Sequence, residues 1–337
     1  MSHNSKIDNL LQNVQEKAQQ AKNNTELLQS VQLLKDFGSE IKYKFGFHIG
    51  FALVWVAIAI GNIYYVNEYI RYPEFLHFSL AIVGVIISCS ILGYVFYKNS
   101  DLNSLSQYIY QKDTLQDNKL KHLSVNNEIF SYLKQNFKKE FSRGNHKRYF
   151  EKAFSSKRSV FREYEFQLFQ FHYVDERTVT EVRTDSKGNT TVHTKTVYDH
   201  YNRYGFVMDF DYFKNIEVKS SGTVIRHHNF KTGSIDFDKK FIVGADSDLN
   251  IAKFLTPVVV EAFNKLSNTL SGLNLEIDSN GKLCITCTNS SIFVSESTRE
   301  YGIEQPNEFY DELAGFTVLN KLEAIYDFMY TLNKQHD

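Results

Sequence analysis

Two stretches of this chain run without a formal charge for longer than a bilayer is thick, and no other feature restricts its fold as much. Phe45 to Tyr65 and Phe75 to Tyr97 contain no Asp, Glu, Lys or Arg. At a helical rise of about 1.5 Å per residue, each spans a hydrocarbon core of ~30 Å. Lipid offers a backbone N–H or C=O no partner outside its own segment, so both stretches must be helices. A buried helix of a soluble core usually keeps a polar face, and these have none. Both are too long for a signal peptide, and the first starts only after a long, mostly polar lead.

Val66 to Glu74 leaves only a short turn between them, so the two helices should be antiparallel neighbours. Tyr64, Tyr65 and Tyr97 suit the aromatic belt at the water interface. Gly46 and Gly50 form one G-x-x-x-G, and Gly61, Gly84 and Gly93 are further points of close approach, read here as packing within the hairpin. His48 and His77 sit near helix ends and read as neutral interfacial groups. Lys35, Lys42, Lys44 and Lys98 flank the pair, whereas the turn carries only Arg71 with Glu68 and Glu74. The positive-inside bias then puts both termini in the cytoplasm.

The remaining sequence predicts an α+β cytoplasmic domain attached to this two-helix transmembrane hairpin. The expected division is an N-terminal cytoplasmic helix over 1–44, the hairpin over 45–97, a helical connector over 98–145 and an α+β domain over 146–337. An aromatic share of 15% gives ample apolar surface for a core. Tyr164, Phe166 and Leu168 alternate with polar residues, then Phe169, Phe171 and Tyr173 continue in the opposite phase, which predicts a β-bulge near Leu168. Thr178 to Asp185 and Thr190 to Tyr198 flank Ser186-Lys187-Gly188-Asn189, a hairpin signal. Its arms are rich in Thr and Val and poor in large apolar residues, so it should project into solvent over about 175–198. Further strands are predicted at Tyr204 to Phe213, Phe237 to Val243, Leu273 to Asp278 and Lys282 to Thr288. Asp248 is expected to cap a helix broken at Pro257, and a final helix to run over 307–333.

The net charge of −1 hides an uneven distribution. Lys134 to Arg162 holds ten Lys or Arg against Glu140 and Glu151, while Ser291 to Asp337 holds nine acids against Arg299, Lys321 and Lys334. Arg143, Lys147, Arg148, Lys152, Lys157 and Arg158 are the candidate contacts for anionic lipid or a partner. The competing readings are a solvated face and pairing with the acidic tail. Nucleic acid is not expected as the partner, because lipid is the nearer polyanion for a tethered chain.

No Walker loop, G-x-G-x-x-G, G-x-S-x-G or H-E-x-x-H is present. Cys284 and Cys287 form one C-x-x-C in a strand-like setting, without the second pair that a structural zinc needs. Asp209 and Asp211, and the His227-His228 pair, are better read as ordinary polar positions. No catalytic residue, metal or cofactor is assigned.

Three strings carry a resemblance: Tyr204 to Phe210, Ile235 to Val243, and Asp246 to Pro257. In them the chain resembles an uncharacterised bacterial family of two-pass membrane proteins, catalogued as domain of unknown function 3137. The likeness covers roughly Asn99 to Asn333 by order of elements. It implies no activity, and it implies a LemA-type membrane protein as a partner. Three function classes stay open: a membrane-anchored interaction or scaffold protein, a tethered enzyme, and a small oligomeric transporter.

Overall fold

A computed structural model describes residues 2–72, 74–125, 128–159, 163–184, 190–220, 223–224, 230–295 and 299–336. In chain order they form helices α1 (His3–Gln20), α2 (Asn24–Lys35), α3 (Gly46–Tyr69) and α4 (Ser79–Asp117). Strand β1 (Lys121–His122), helices α5 (Glu128–Asn136) and α6 (Lys138–Phe141), and strands β2 (Arg148–Ser159), β3 (Glu163–Thr184), β4 (Thr190–Asp209) and β5 (Ile216–Lys219) follow. Then come α7 (Ile235–Lys240), β6 (Ile242–Gly244), α8 (Asp248–Phe254), α9 (Pro257–Thr269), β7 (Asn274–Ile277), β8 (Lys282–Cys287), α10 (Pro306–Ala314) and α11 (Asn320–His336). The chain divides into two compact units, residues 1–113 with 297–316, and 114–296 with 317–337.

In the first unit, α3 and the segment from Phe75 through α4 are long and apolar enough to cross a membrane. Exposure separates them from soluble core helices: Phe47 is 83% and Ile60 63% open. They run antiparallel along a seam of small residues, Ala52 and Ala59 against Ala81 and Ser88. The Ser88 hydroxyl donates to the Ala52 carbonyl at 3.0 Å, and Asn62 Oδ1 accepts from the Ala81 N–H at 3.1 Å. Gly84 is the close approach, since a Cβ there would lie 2.8 Å from the Trp55 carbonyl; Gly46, Gly50, Gly61 and Gly93 meet nothing. The G-x-x-x-G therefore takes no part in the seam.

The N-terminal segment is two helices rather than one, because Asn23 starts a new one by capping the Glu26 N–H. Its apolar stripe (Ile7, Leu11, Val14, Ala18) packs on the chain's own Leu102, Leu105 and Ile109, with Phe309 and Leu313 of α10. Asp8 holds the base of this bundle, accepting from the Tyr43 hydroxyl at 2.7 Å and the Lys98 ammonium at 2.9 Å.

The second unit is built on one eight-stranded antiparallel sheet in the order β1-β2-β3-β4-β8-β7-β5-β6. Helices α8, α9 and α11 cover one face through Ile251, Phe254, Phe263, Ile325 and Phe328. Helices α5 and α6 cover part of the other through Phe130, Leu133, Phe137 and Phe141.

Several expectations change. The phase shift in β3 is not a bulge near Leu168: β3 pairs with β4 without a break, and both its faces are buried there. Phe166 and Leu168 enter one core, Phe169 and Phe171 the other. The bulge lies in the neighbouring strand, between Phe150 and Lys152. The connector over 98–145 is not one helix, since α4 ends at Asp117 and β1, α5 and α6 follow. Phe237 lies in α7, capped by Ser234, and only Ile242–Gly244 is strand. Ser247, not Asp248, caps α8; Thr256 caps α9, with Pro257 in its first turn. The final helix is two, α10 and α11, with Gly315 following the first.

Candidate functional site

Strand alternation gives the second sheet face its character. On β5, Ile216 and Val218 turn to the large core, leaving Glu217 and Lys219 opposite; on β7, Leu275 and Ile277 leave Asn274 and Glu276. Arg203 of β4 and Thr286 of β8 join this set, and Glu140 of α6 completes it, all buried. Glu140 Oε1 accepts from Arg203 Nε at 2.6 Å and from Thr286 Oγ1 at 2.9 Å. Its Oε2 accepts from Arg143 Nη2 and Asn274 Nδ2, each at 2.9 Å. Burial alone would raise the Glu140 carboxyl; Arg203 and Arg143 outweigh it and hold the group down at about 2. Beside it, Lys219 Nζ lies 2.7 Å from Glu276 and 3.7 Å from Glu217. Burial raises the Glu276 carboxyl, with Lys219 opposing. Each Glu140 oxygen already holds two donors, so the cluster ties α6 to the sheet and offers a substrate no open position.

A polar ladder crosses the root of the β3–β4 pair. Gln170 Nε2 donates to Glu151 at 2.5 Å and lies 3.2 Å from Asn202 Oδ1. His172 Nδ1 is 2.9 Å from the same Asn202 oxygen, and its Nε2 is 3.1 Å from His200 Nδ1. With the Asn202 oxygen as acceptor, His172 Nδ1 donates to it. Sequence reading passed over His172, because both its partners, Asn202 and His200, lie on β4, some thirty residues further along the chain. Among the described residues no three His, Cys, Asp or Glu side chains form a group that could hold a metal.

Cys284 and Cys287 are free thiols turned to opposite faces of β8. Burial raises both, Cys287 to about 11, which removes thiolate reactivity. Asp209 pairs with Lys282 at 2.5 Å; Asp211 lies beyond the end of β4. His227-His228 falls outside the described residues. A groove of about 230 Å³ runs between α9 and α11, with Glu261, Lys265 and Asp327 at its walls.

Among the described residues the basic candidates do not assemble into one patch. Arg143 is half-buried on Glu140. Arg148 folds back onto the carbonyls of Arg143 and Gly144. Lys147 is exposed on the preceding loop. Lys152 and Lys157 stand opposite Gln170 and Glu165, so they occupy opposite faces of β2, and Lys157 pairs with Glu165 at 3.4 Å. The Arg158 side chain lies outside the described residues.

What the fold presents outward is the far end of the same strand pair. From Val174↔His200 to Thr184↔Thr190, β3 and β4 pair with each other, and among the described residues no other strand pairs with either. At about 3.3 Å per residue this ribbon is ~33 Å long. One face carries Thr178, Thr180 and Val182 with Val192, Thr194 and Thr196; the other carries Arg177 and Glu181, paired with Asp199 and Lys195. The turn at 185–189 is outside the described residues. Compared with known proteins, the chain matches no family model, no curated protein and no solved structure.

Proposed function

We propose that the chain is a membrane-anchored interaction or scaffold protein, a subunit of a bacterial envelope complex with both termini in the cytoplasm. The observation that carries this reading is the ribbon: eleven residue pairs whose outer part, beyond Glu176, offers strand edges to a further strand, on a chain with two bilayer-length apolar helices. Open edges recruit extended partners through main-chain hydrogen bonds. The lysines flanking α3 and the apolar part of α4 support the orientation. The partner classes are a LemA-type membrane protein, through the resemblance to the 3137 family, and a second copy of this chain.

The test is affinity purification of the full chain in mild detergent, beside a variant lacking residues 176–198. The full chain should elute with a stoichiometric membrane-protein partner or as an oligomer, and the variant should lose it. Elution of the full chain alone at monomer mass overturns the proposal.

A further inference from the structure

Resting on that interaction role, we propose that β3 pairs with β3 of a second copy of this chain, antiparallel and centred on Val179. Two ribbons then join into one four-stranded sheet.

The backbone settles which groups face outward. Val174 N–H donates to the Lys147 carbonyl at 3.0 Å, and its carbonyl accepts from Asn145 and His146 at 3.2 and 3.1 Å. These groups point away from β4, and antiparallel strands alternate, so Glu176, Thr178, Thr180 and Val182 point the same way. The Asn145 side chain occupies Glu176, accepting its N–H at 2.7 Å and donating to its carbonyl at 2.9 Å. Beyond that clamp β3 shows no bulge against β4 and no proline, two devices that keep edge strands from pairing.

Against itself, antiparallel about Val179, the strand is charge-complementary. Arg177 falls opposite the partner's Glu181, Glu181 opposite the partner's Arg177, Thr178 opposite the partner's Thr180, and Val179 opposite itself. In sequence, Asp175 and Arg183 continue the palindrome. Moving the centre to Arg177 or Glu181 sets that charge against its own copy. Moving it to Thr178 shortens the join to residues 177–179, because Asn145 occupies Glu176, and moving it to Thr180 sets Arg177 against Arg183. Like charges directly opposite destabilise a pair, so one register is selected within two residues on either side.

The backbone phase agrees with this centre. Thr178 and Thr180 form the hydrogen-bonded pairs, while Val179 and the Arg177–Glu181 pairs take the non-hydrogen-bonded positions, where side chains come closest. Within one copy Glu181 pairs with Lys195, and Arg177 with Asp199. Across the join the row therefore reads Lys195, Glu181, the partner's Arg177, the partner's Asp199, alternating in sign. The opposite face reads Thr196, Thr178, the partner's Thr180, the partner's Thr194. Asn145 ends the pairing at Glu176, so the join is short. Confinement of both copies to one membrane raises their effective concentration and makes a short join sufficient.

The experiment uses the full chain in membranes, with Cys89→Ser removing the exposed thiol. Val179→Cys faces itself at a spacing suited to a disulfide and should give a crosslinked dimer under mild oxidation. Thr184→Cys, whose two copies lie ~33 Å apart in this register, should not. Adding Arg177→Glu to Val179→Cys should lower the crosslinked yield on the order of tenfold, and adding Glu181→Arg as well should restore it. That double exchange leaves like charges facing Asp199 and Lys195 within each ribbon, so recovery reports pairing between copies. Equal crosslinking at 179 and 184, or no recovery in the double exchange, overturns the proposal. A chain silent to crosslinking that still co-purifies with a different membrane protein sinks the self-pairing and leaves the interaction role standing.

Discussion

The root and the tip of the β3–β4 pair are the same two strands in the same register, yet their surroundings are opposite. From Phe166↔Met208 to Thr184↔Thr190 the pairing is unbroken. At the root, Leu168, Phe169 and Phe171 are fully buried; at the tip, Val182 and Val192 are each 63% exposed. Strand pairing therefore continues well past the core that stabilises it. The tip is held by main-chain hydrogen bonds and cross-strand pairs, which leaves its side chains available for other contacts. The root binds the sheet to helices on both faces, and its polar groups are paired within the fold, Arg203 with Glu140 of α6 and His172 with Asn202 of β4.

The largest effect that would break this contrast lies at the root. Arg203→Leu leaves the Glu140 carboxylate buried with one cation fewer, which should cost about 4 kcal/mol. Arg177→Leu at the tip also removes one half of an ion pair, and should cost far less because Arg177 is exposed and its pair is screened by solvent. Chemical denaturation of the full chain in detergent measures both. Equal costs would mean that burial does not distinguish the two ends.

Legibility in the sequence follows the same division. The tip is readable because period-two Thr and Val runs about a turn signal are local features, and the apolar helices are readable because an uncharged run is local too. The root misleads. Covered on both faces, Leu168 to His172 lose the alternation that marks a half-exposed strand, and the loss imitates a bulge. The ion network leaves no local trace: Glu140 and Thr286 are 146 residues apart, and each looks like an ordinary polar position. Phe237 misleads for another reason, since acid-Phe-acid alternation fits a strand until Ser234 is recognised as a helix cap.

Acid sharpens the contrast with a smaller effect. Glu140 falls from an ordinary value of 4.5 to about 2 in the folded chain, so it contributes stability above pH 4.5 that is lost as pH falls toward 2. The pKa difference corresponds to about 3 kcal/mol. Glu276 works in the opposite sense: its raised carboxyl holds a proton that the unfolded chain has released, so it disfavours the fold as pH rises past 4.5 and partly offsets Glu140 on acidification. Glu140→Gln should flatten the acid limb of a stability-versus-pH curve measured by urea unfolding. An unchanged limb would show that the network is not what acid disrupts.

The smallest expected effect is the most informative about the tip. Lys195→Met removes the partner of Glu181 on a side chain that is 58% exposed. Such pairs lie in high dielectric and are screened by salt, so unfolding free energy should move by no more than about 0.5 kcal/mol. The methionine keeps an unbranched side chain of similar reach, so packing against Val179, which lies opposite on β3, changes little. Hydrogen exchange at Phe169 and Phe171 should stay as slow as in the parent chain, because the root opens only when the cores on both its faces do. A loss of several kcal/mol, or faster exchange at the root, would show that the tip's cross-strand charges hold the whole strand pair in register, and the two ends would then be one structural unit.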